Sequence, residues 1–334
     1  MSADLRRIAK SSKTAIIAYK IIDNWRWRRR LRRGIIESEN GATHRAFSLE
    51  ESLAYVNAQF DDYVRYGGLT PEQMRGLSVF ELGFGDNIGV ALRFLAAGAS
   101  RVVCLDKFYS VRDEEQHRRV YLALREGLNA EERARFDEAI DLSSGIKVND
   151  ERLHCIYGTT VEESEELRDG ETFDLIISRG AIQDIYEPDA AFAAMDRLLK
   201  PGGRMWHKID LSDQGMFSTN DMNPLTFLTV SDAVYRMMAL DSSKPNRKTI
   251  DYYRQKMNEL GYESKMLVTE VAGRQRKGDL HPHKERPEYG TDFGDETLAV
   301  VREVRPRLNP RYRNLSDEDL MVAGIFIIAR KPER

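Results

Sequence analysis

The sequence predicts an α/β fold built on a mostly parallel sheet, and three observations carry that expectation. Between residues 78 and 211, strand-like apolar runs alternate with helical segments four times, the pattern of strands whose crossovers cover both sheet faces. The first of those runs breaks at a glycine turn, Gly83, Phe84 and Gly85, that opens into a helix. With 334 residues, of which 41% are hydrophobic, the chain is long enough for one large domain or two small ones.

In the N-terminal arm, Ile17, Ile21 and Trp25 recur at four-residue spacing with Ile22 beside them, edged by Lys13, Lys20 and later arginines. That spacing predicts a basic amphipathic helix. Ser48 followed by Glu51 is a capping box, and Leu49, Leu53, Val56, Phe60 and Val64 continue at helical spacing until Gly67 and Gly68. Thr70, Pro71 and Gln73 start a second short turn that ends at Gly76. Strands are expected at residues 78–82, 101–105, 153–157, 173–178 and 204–211, with helices at 88–97, 113–139 and 189–199. Residues 213–229 read as a loop over the carboxyl edge of the sheet. Helices at 230–240 and 250–260 and a strand at 265–271 come next. A polar loop at 273–296, a short helix at 298–305, a capped turn at 316–320 and a closing strand at 321–329 complete the chain.

The formal charge of −3 conceals an asymmetry. Residues 1–33 hold eleven basic residues against Asp4 and Asp23, a charge of +9, which leaves 40 bases and 52 acids, or −12, from Gly34 onward. An acidic body argues against a protein that coats nucleic acid. The arm suits contact with an anionic membrane surface, and packing on its own domain or on a second subunit is the alternative. Cys104 and Cys155 lie in apolar strand-like runs and read as buried thiols of a reducing compartment. No apolar run reaches the ~20 residues that cross a bilayer, and no signal-peptide pattern is present. The expected location is the cytoplasm, with the inner face of the membrane as its variant; oligomeric state is left open.

The chemistry concentrates at residues 79–89, VFELGFGDNIG. Glycines permit a tight turn and close backbone approach, and the following helix start presents free N–H groups. A dinucleotide-binding turn has a third glycine three residues after the second, where this chain has Ile88. Glu81 and Asp86 would repel a diphosphate and suit a cation.

With these residues the chain resembles the class I S-adenosylmethionine-dependent methyltransferases, in register over about residues 48–211. The family's first motif, an acid and then Gly-x-Gly, stands here as Glu81, Gly83 and Gly85, with Phe84, Asp86 and Asn87 in the turn. Its ribose-binding acid corresponds to Asp106, after Val102, Val103, Cys104 and Leu105, with Lys107 beside it; a carboxylate accepts from both hydroxyls of a vicinal diol. The run at residues 173–178 looks like the strand beside the methionine moiety, placing Ser178 and Arg179 at the cofactor. Leu198, Leu199, Lys200, Pro201, Gly202 and Gly203 match the turn before strand five. The resemblance implies a Rossmann-like three-layer sandwich with a mostly parallel seven-stranded sheet. It would comprise an arm at 1–47 and a domain at 48–334 with acceptor-side insertions at about 213–264 and 273–316. S-adenosylmethionine is the implied cofactor.

Two departures stand out. Where the family often has an acid for the adenine amino group, Gly158 is followed by Thr159 and Thr160, leaving a hydroxyl or backbone contact. Where many small-molecule members have a histidine after strand four, the chain reads Arg179, Gly180, Ala181, Ile182, Gln183, Asp184. Asp184 therefore either meets the acceptor or caps a turn. Methyl transfer to a hydroxyl also needs a base. Candidates at the carboxyl edge are His207, Asp210 and Asp213; His207 has the right intrinsic pKa but could equally be a core residue. His281 and His283 with Asp279 and Glu285 show no third spaced ligand and are read as part of a lid, so no metal is expected.

The function read from these residues is methylation of a small-molecule or glycan hydroxyl. The SDEDL run before the last strand and the basic arm resemble methyltransferases encoded with bacterial surface-polysaccharide machinery. Two alternatives are an RNA or protein methyltransferase and a non-catalytic, membrane-associated cofactor-binding protein. Against nucleic acid stand the −12 body and Ser178, Arg179 and Gly180 in place of an Asn-Pro-Pro-aromatic turn.

Overall fold

The computed structural model describes residues 12–39, 41–167, 170, 172–273 and 278–333. Arg6, Arg7 and Lys10 of the arm, and residues 274–277 of the polar loop, lie outside them. The chain begins with α1 (Lys13–Leu31), β1 (Glu37–Ser38), α2 (Leu49–Gly67) and the short α3 (Pro71–Met74). β2 (Ser78–Leu82), α4 (Gly89–Ala97), β3 (Arg101–Asp106), β4 (Tyr109–Ser110), α5 (Glu114–Glu126) and α6 (Ala130–Ala139) come next. Then follow β5 (Ile140–Asp141), β6 (Lys147–Val148), β7 (Leu153–Tyr157), β8 (Phe173–Arg179), α7 (Pro188–Leu198) and β9 (Leu199–Asp210). The last elements are α8 (Asp232–Ala239), α9 (Ile250–Glu259), β10 (Glu263–Val271), α10 (Asp295–Val304), α11 (Asp317–Met321) and β11 (Val322–Arg330).

The main sheet has seven strands in the order β10-β11-β9-β8-β2-β3-β7. β2 pairs in parallel with β3 and β8, and β3 in parallel with β7. β11 is the reversed strand: Leu211 N–H donates to Ala323 O at one end and Lys331 N–H to Gly203 O at the other. This is the expected Rossmann-like, mostly parallel α/β architecture. Val79, Phe80, Val102, Val103, Leu175 and Ile176 are fully buried on its central strands, as continuous apolar runs in a two-sided sheet must be.

The chain divides into two compact units. One comprises Ile36–Arg179, Asp189–Trp206 and Ile328–Arg334; the other takes the arm to Ile35, Gly180–Pro188 and His207–Ile327. In the first of these, the Ser48 capping box forms as expected, with Glu51 N–H donating to Ser48 Oγ and Ser48 N–H to Glu51 Oε2. The buried face of α2 is shifted from the predicted stripe. Ser52, Val56, Gln59, Phe60 and Tyr63 are buried and Leu49 is exposed, because Phe60 and Tyr63 turn toward Phe94 of α4 and Tyr63 stacks on Trp206. The helix expected over 113–139 is two helices: Asn129 caps α6 in its own capping box with Glu132 and ends the preceding turn.

In the other unit, α1 packs on α8. The predicted stripe of Ile17, Ile21 and Trp25 is not the buried one. Ile16 and Asn24 are buried while Trp25 and Ile22 face solvent. The reason is polar: Asn24 and Arg28 both bind Asp241, which fixes the rotation of the helix.

Candidate functional site

The site is built at the carboxyl ends of β2, β3 and β7. β2 delivers Glu81 and then turns at Gly83 and Gly85, whose φ angles are +76° and +66°, in the left-handed region open to glycine. A Cβ on Gly85 would meet Gly41 O at 2.8 Å, so glycine is required there sterically as well. α4 then starts at Gly89, with Ile88 N–H held by Tyr121 Oη at 3.1 Å and Gly89 N–H by Asn87 Oδ1 at 2.7 Å.

Asp106 closes β3. Its Oδ2 accepts Gly85 N–H at 3.0 Å and its Oδ1 accepts Phe108 N–H at 2.9 Å. Each oxygen keeps a second lone pair. Burial pushes the carboxyl above its ordinary value, opposed by those two backbone donors and by Arg112. Glu81 is buried one strand away, with Cys104 Sγ 3.7 Å from Oε2. Burial raises its carboxyl to about 7, with the thiol working against the shift and the Asp106 charge adding to it. Cys104 and Cys155 are free thiols, paired in register across β3 and β7; Cys104 is buried as expected and Cys155 is half-buried.

An aromatic group stands at the end of β7, where Tyr157 is the register partner of Asp106. The rings of Phe84 and Tyr109 each lie 5.2 Å from the Tyr157 ring. Arg112 donates to Tyr157 Oη at 3.0 Å and lies over Tyr109. Thr159 follows, half-buried, its hydroxyl turned to Thr160 O, and Lys107 is exposed. Ser178 is fully buried at the end of β8, and Arg179 is ion-paired with Asp62 at 2.9 Å.

A strap of residues 36–39 and 41–47 crosses the glycine turn. Tyr109 N–H donates to Ile36 O, β1 pairs with β4, Asp86 N–H donates to Gly41 O, and His44 N–H donates to Asp86 Oδ2 at 3.1 Å. Gln116 Nε2 pins it by donating to both His44 O and Phe47 O at 2.7 Å. His44, Asp86 and His117 are all buried; burial drops His44 to about 4 against the opposing pull of Asp86, so it is neutral at physiological pH. His117 Nε2 lies 3.7 Å from Asp86 Oδ2, beyond hydrogen bonding. Among the described residues His117 Nε2, His44 Nδ1 and Asn87 Nδ2 are buried without a hydrogen-bond partner. Three orphaned polar atoms around a glycine turn fit a polar ligand segment such as an amino-acid moiety. The two spare lone pairs of Asp106 fit a vicinal diol.

The sequence indicated the turn and Asp106. It missed His44, Tyr109, Arg112, His117, Tyr121 and Tyr157, which come together only once β1 pairs with β4 and β7 with β3.

The acceptor-side candidates lie in the other unit. Asp184 ends a 3-10 turn, Ile182–Asp184, and its Oδ1 accepts from Gln214 at 3.1 Å. His207 is 0% exposed in β9, and burial lowers it to about 3. Such an imidazole is a poor proton acceptor at neutral pH, which favours the core reading of this residue. Asp210 ends β9, accepts Ser212 N–H, and is raised by burial. Asp213 is corrected from base to loop anchor: its two oxygens take Gly215, Phe217 and Ser218 N–H and the Ser218 hydroxyl. The carboxylates of the expected lid are engaged by cations, Asp279 by Lys208 and Glu285 by Lys265.

Residues 136–207 match the family described as a methyltransferase domain. No protein of curated description matches the chain. Similar solved structures include phosphoethanolamine N-methyltransferase 2 of Haemonchus contortus in complex with S-adenosylmethionine, at 15% identity, 84% of this chain, 56% of that chain and a TM-score of 0.42. Another is the YcgJ protein of Bacillus subtilis, at 13% identity, 81% of this chain, 99% of that chain and a TM-score of 0.40. The chain thus spans little more than half the length of the first. The acid and Gly-x-Gly turn tied to the carboxylate of the next strand and the seven-strand, mostly parallel order agree with a Rossmann-like methyltransferase fold, within which residues 136–207 match a methyltransferase domain.

Proposed function

We propose that the chain methylates a hydroxyl of a small molecule or glycan, using S-adenosylmethionine. The observation that carries the cofactor half of this reading is the Asp106 carboxylate, held by Gly85 and Phe108 N–H with one lone pair on each oxygen to spare. When bound, the cofactor supplies a methyl carbon made electrophilic by its sulfonium. Asp106 holds the ribose diol. Phe84, Tyr109 and Tyr157 offer the faces for the adenine, with Thr159 at their edge and Lys107 beyond. Asn87, His44 and His117 offer polar atoms to the methionine end, and Glu81, Asp86, Ser178 and Arg179 frame the turn. Asp62 neutralises Arg179, which keeps that guanidinium from repelling a sulfonium.

On the acceptor side, the Asp210 carboxylate, raised by burial, would take the proton that the acceptor hydroxyl gives up. Asp184 orients the acceptor. His207 supports β9. A carboxyl raised above its ordinary range is a stronger base than a solvated one.

The reading is tested by incubating the protein with donor carrying an isotopically labelled methyl group. A panel of glycosides, phenols, hydroxy acids, amines and RNA serves as acceptors, analysed by mass spectrometry. Label on oxygen of a small acceptor, reduced at least tenfold in Asp210→Asn, is the expected result. Label on amines or RNA alone, or none with any acceptor despite cofactor binding, overturns the hydroxyl assignment.

A further inference from the structure

We infer that the outer face of α1 is a docking surface for an anionic lipid bilayer. The inner face is fixed by specific bonds. Lys13 Nζ donates to Thr229 Oγ1 at 2.6 Å, Asp241 N–H donates to Asn24 Oδ1 at 2.7 Å, and Arg28 Nε pairs with Asp241 at 2.9 Å. These anchors determine which residues face outward, and they are not the polar ones alone. Tyr19 is 56% exposed, Ile22 50% and Trp25 57%, at three-residue spacing on one side of the helix. α8, packed alongside, adds Met237 at 50%.

Large apolar side chains in water are a cost unless something covers them. The charges beside them define the cover. Arg26, Arg29, Arg30, Arg32 and Arg33 are exposed at the C-terminal end of the helix, and no acid occurs between Asp23 and Glu37. Arg29 lies over the Trp25 ring at 5.8 Å and Arg30 over the Trp27 ring at 5.0 Å. Aromatic and aliphatic side chains backed by guanidinium groups are the composition of an interfacial helix, with rings at headgroup depth and arginines on phosphates. A nucleic acid would use the arginines and leave Ile22 and Met237 in water. The −12 body is repelled by an anionic surface while the arm is drawn to it, so this helix is the part of the chain that approaches lipid.

The test uses the full-length protein and vesicles of phosphatidylcholine with or without roughly one third phosphatidylglycerol, measured by co-sedimentation over a salt series. The wild type is expected to pellet with the anionic vesicles only, less so as salt rises. Each basic residue near such a surface contributes about fivefold in binding, so Arg29→Gln, Arg32→Gln and Arg33→Gln together weaken it roughly 100-fold. Ile22→Ser with Trp25→Ala weakens it about tenfold or more. In a Trp27→Phe background, Trp25 emission shifts to the blue on anionic vesicles. All five positions are exposed, and an unchanged circular dichroism spectrum and cofactor affinity establish that the variants fold. Equal pelleting of wild type and either variant set overturns the proposal. So does a dimer in solution that Ile22→Ser with Trp25→Ala dissolves, or arginine-dependent RNA binding without vesicle binding.

Discussion

Replacing Asp106 by asparagine separates cofactor binding from folding. In the native carboxylate, Oδ2 takes Gly85 N–H at 3.0 Å and Oδ1 takes Phe108 N–H at 2.9 Å, and the outward lone pairs remain for the two ribose hydroxyls. An amide of the same shape has one acceptor oxygen. Its NH2 takes the place of one oxygen and so meets both that oxygen's backbone donor, Gly85 or Phe108, and its hydroxyl. In either orientation one backbone N–H loses its acceptor, at a cost of about 1–3 kcal/mol in stability. In either orientation the diol loses its charged acceptor, and a hydrogen bond to a charged group contributes about 1.5–3 kcal/mol. Losing one such bond and weakening the other amounts to about 3 kcal/mol, or roughly a 150-fold higher Kd. Isothermal titration with S-adenosylhomocysteine reads the affinity, and urea denaturation reads the stability. A folded Asp106→Asn protein that binds within threefold of wild type would refute the assignment of this carboxylate and the reasoning from its spare lone pairs.

Further outcomes follow from the same geometry. Glu81 titrates near 7 in the fold, because it is buried, against about 4.5 when unfolded. Between those values the native state holds a proton that the unfolded chain has released, so this residue's contribution to stability declines as pH rises, by about 3 kcal/mol in all. Glu81→Gln should remove that decline, and parallel wild-type and variant denaturation curves from pH 4.5 to 7.5 would contradict it. Gly85→Ala should abolish cofactor binding, since its Cβ would sit 2.8 Å from Gly41 O at a φ of +66°; calorimetry that finds affinity retained would count against the fit of strap to turn. Tyr121→Phe removes the acceptor of Ile88 N–H and should lower stability by about 1–3 kcal/mol in urea; a loss under about 0.3 kcal/mol would mean the amide finds another partner. His207 is neutral down to about pH 3, so His207→Gln should leave the shape of the pH–rate profile above pH 6 unchanged. Disappearance of an ascending limb near pH 6–7 would identify it as the base after all.

The parts of the fold that were legible in the sequence are those governed by local signals. The Ser48 and Thr70 caps, the strand runs and the Gly83–Gly85 turn depend on neighbours within a few residues, and they form where they were expected. Asp106 was legible because a single acid follows the apolar run Val102, Val103, Cys104 and Leu105. The aromatic group was not, since Tyr157 meets Phe84 and Tyr109 through strand pairing that periodicity does not specify. The face of α1 was misjudged for a related reason. Ile17, Ile21 and Trp25 make the better apolar stripe, yet one polar pair, Asn24 with Asp241, sets the rotation. Asp213 looked like a base by position, and only its four donors show that its lone pairs are committed to the loop.

The strap contains little regular structure beyond two-residue β1 and a single 3-10 turn, His44–Ala46. Its order therefore derives from bonds to partners roughly forty or more positions away in sequence, such as Asp86 and Gln116. Such a segment is expected to open before the sheet does. Tryptic cleavage at Arg45 and amide exchange at His44 thereby become gauges of the glycine turn: slow when ligand fills it, fast when Gly85 or Asp106 is altered, and readable in lysate before any acceptor has been found.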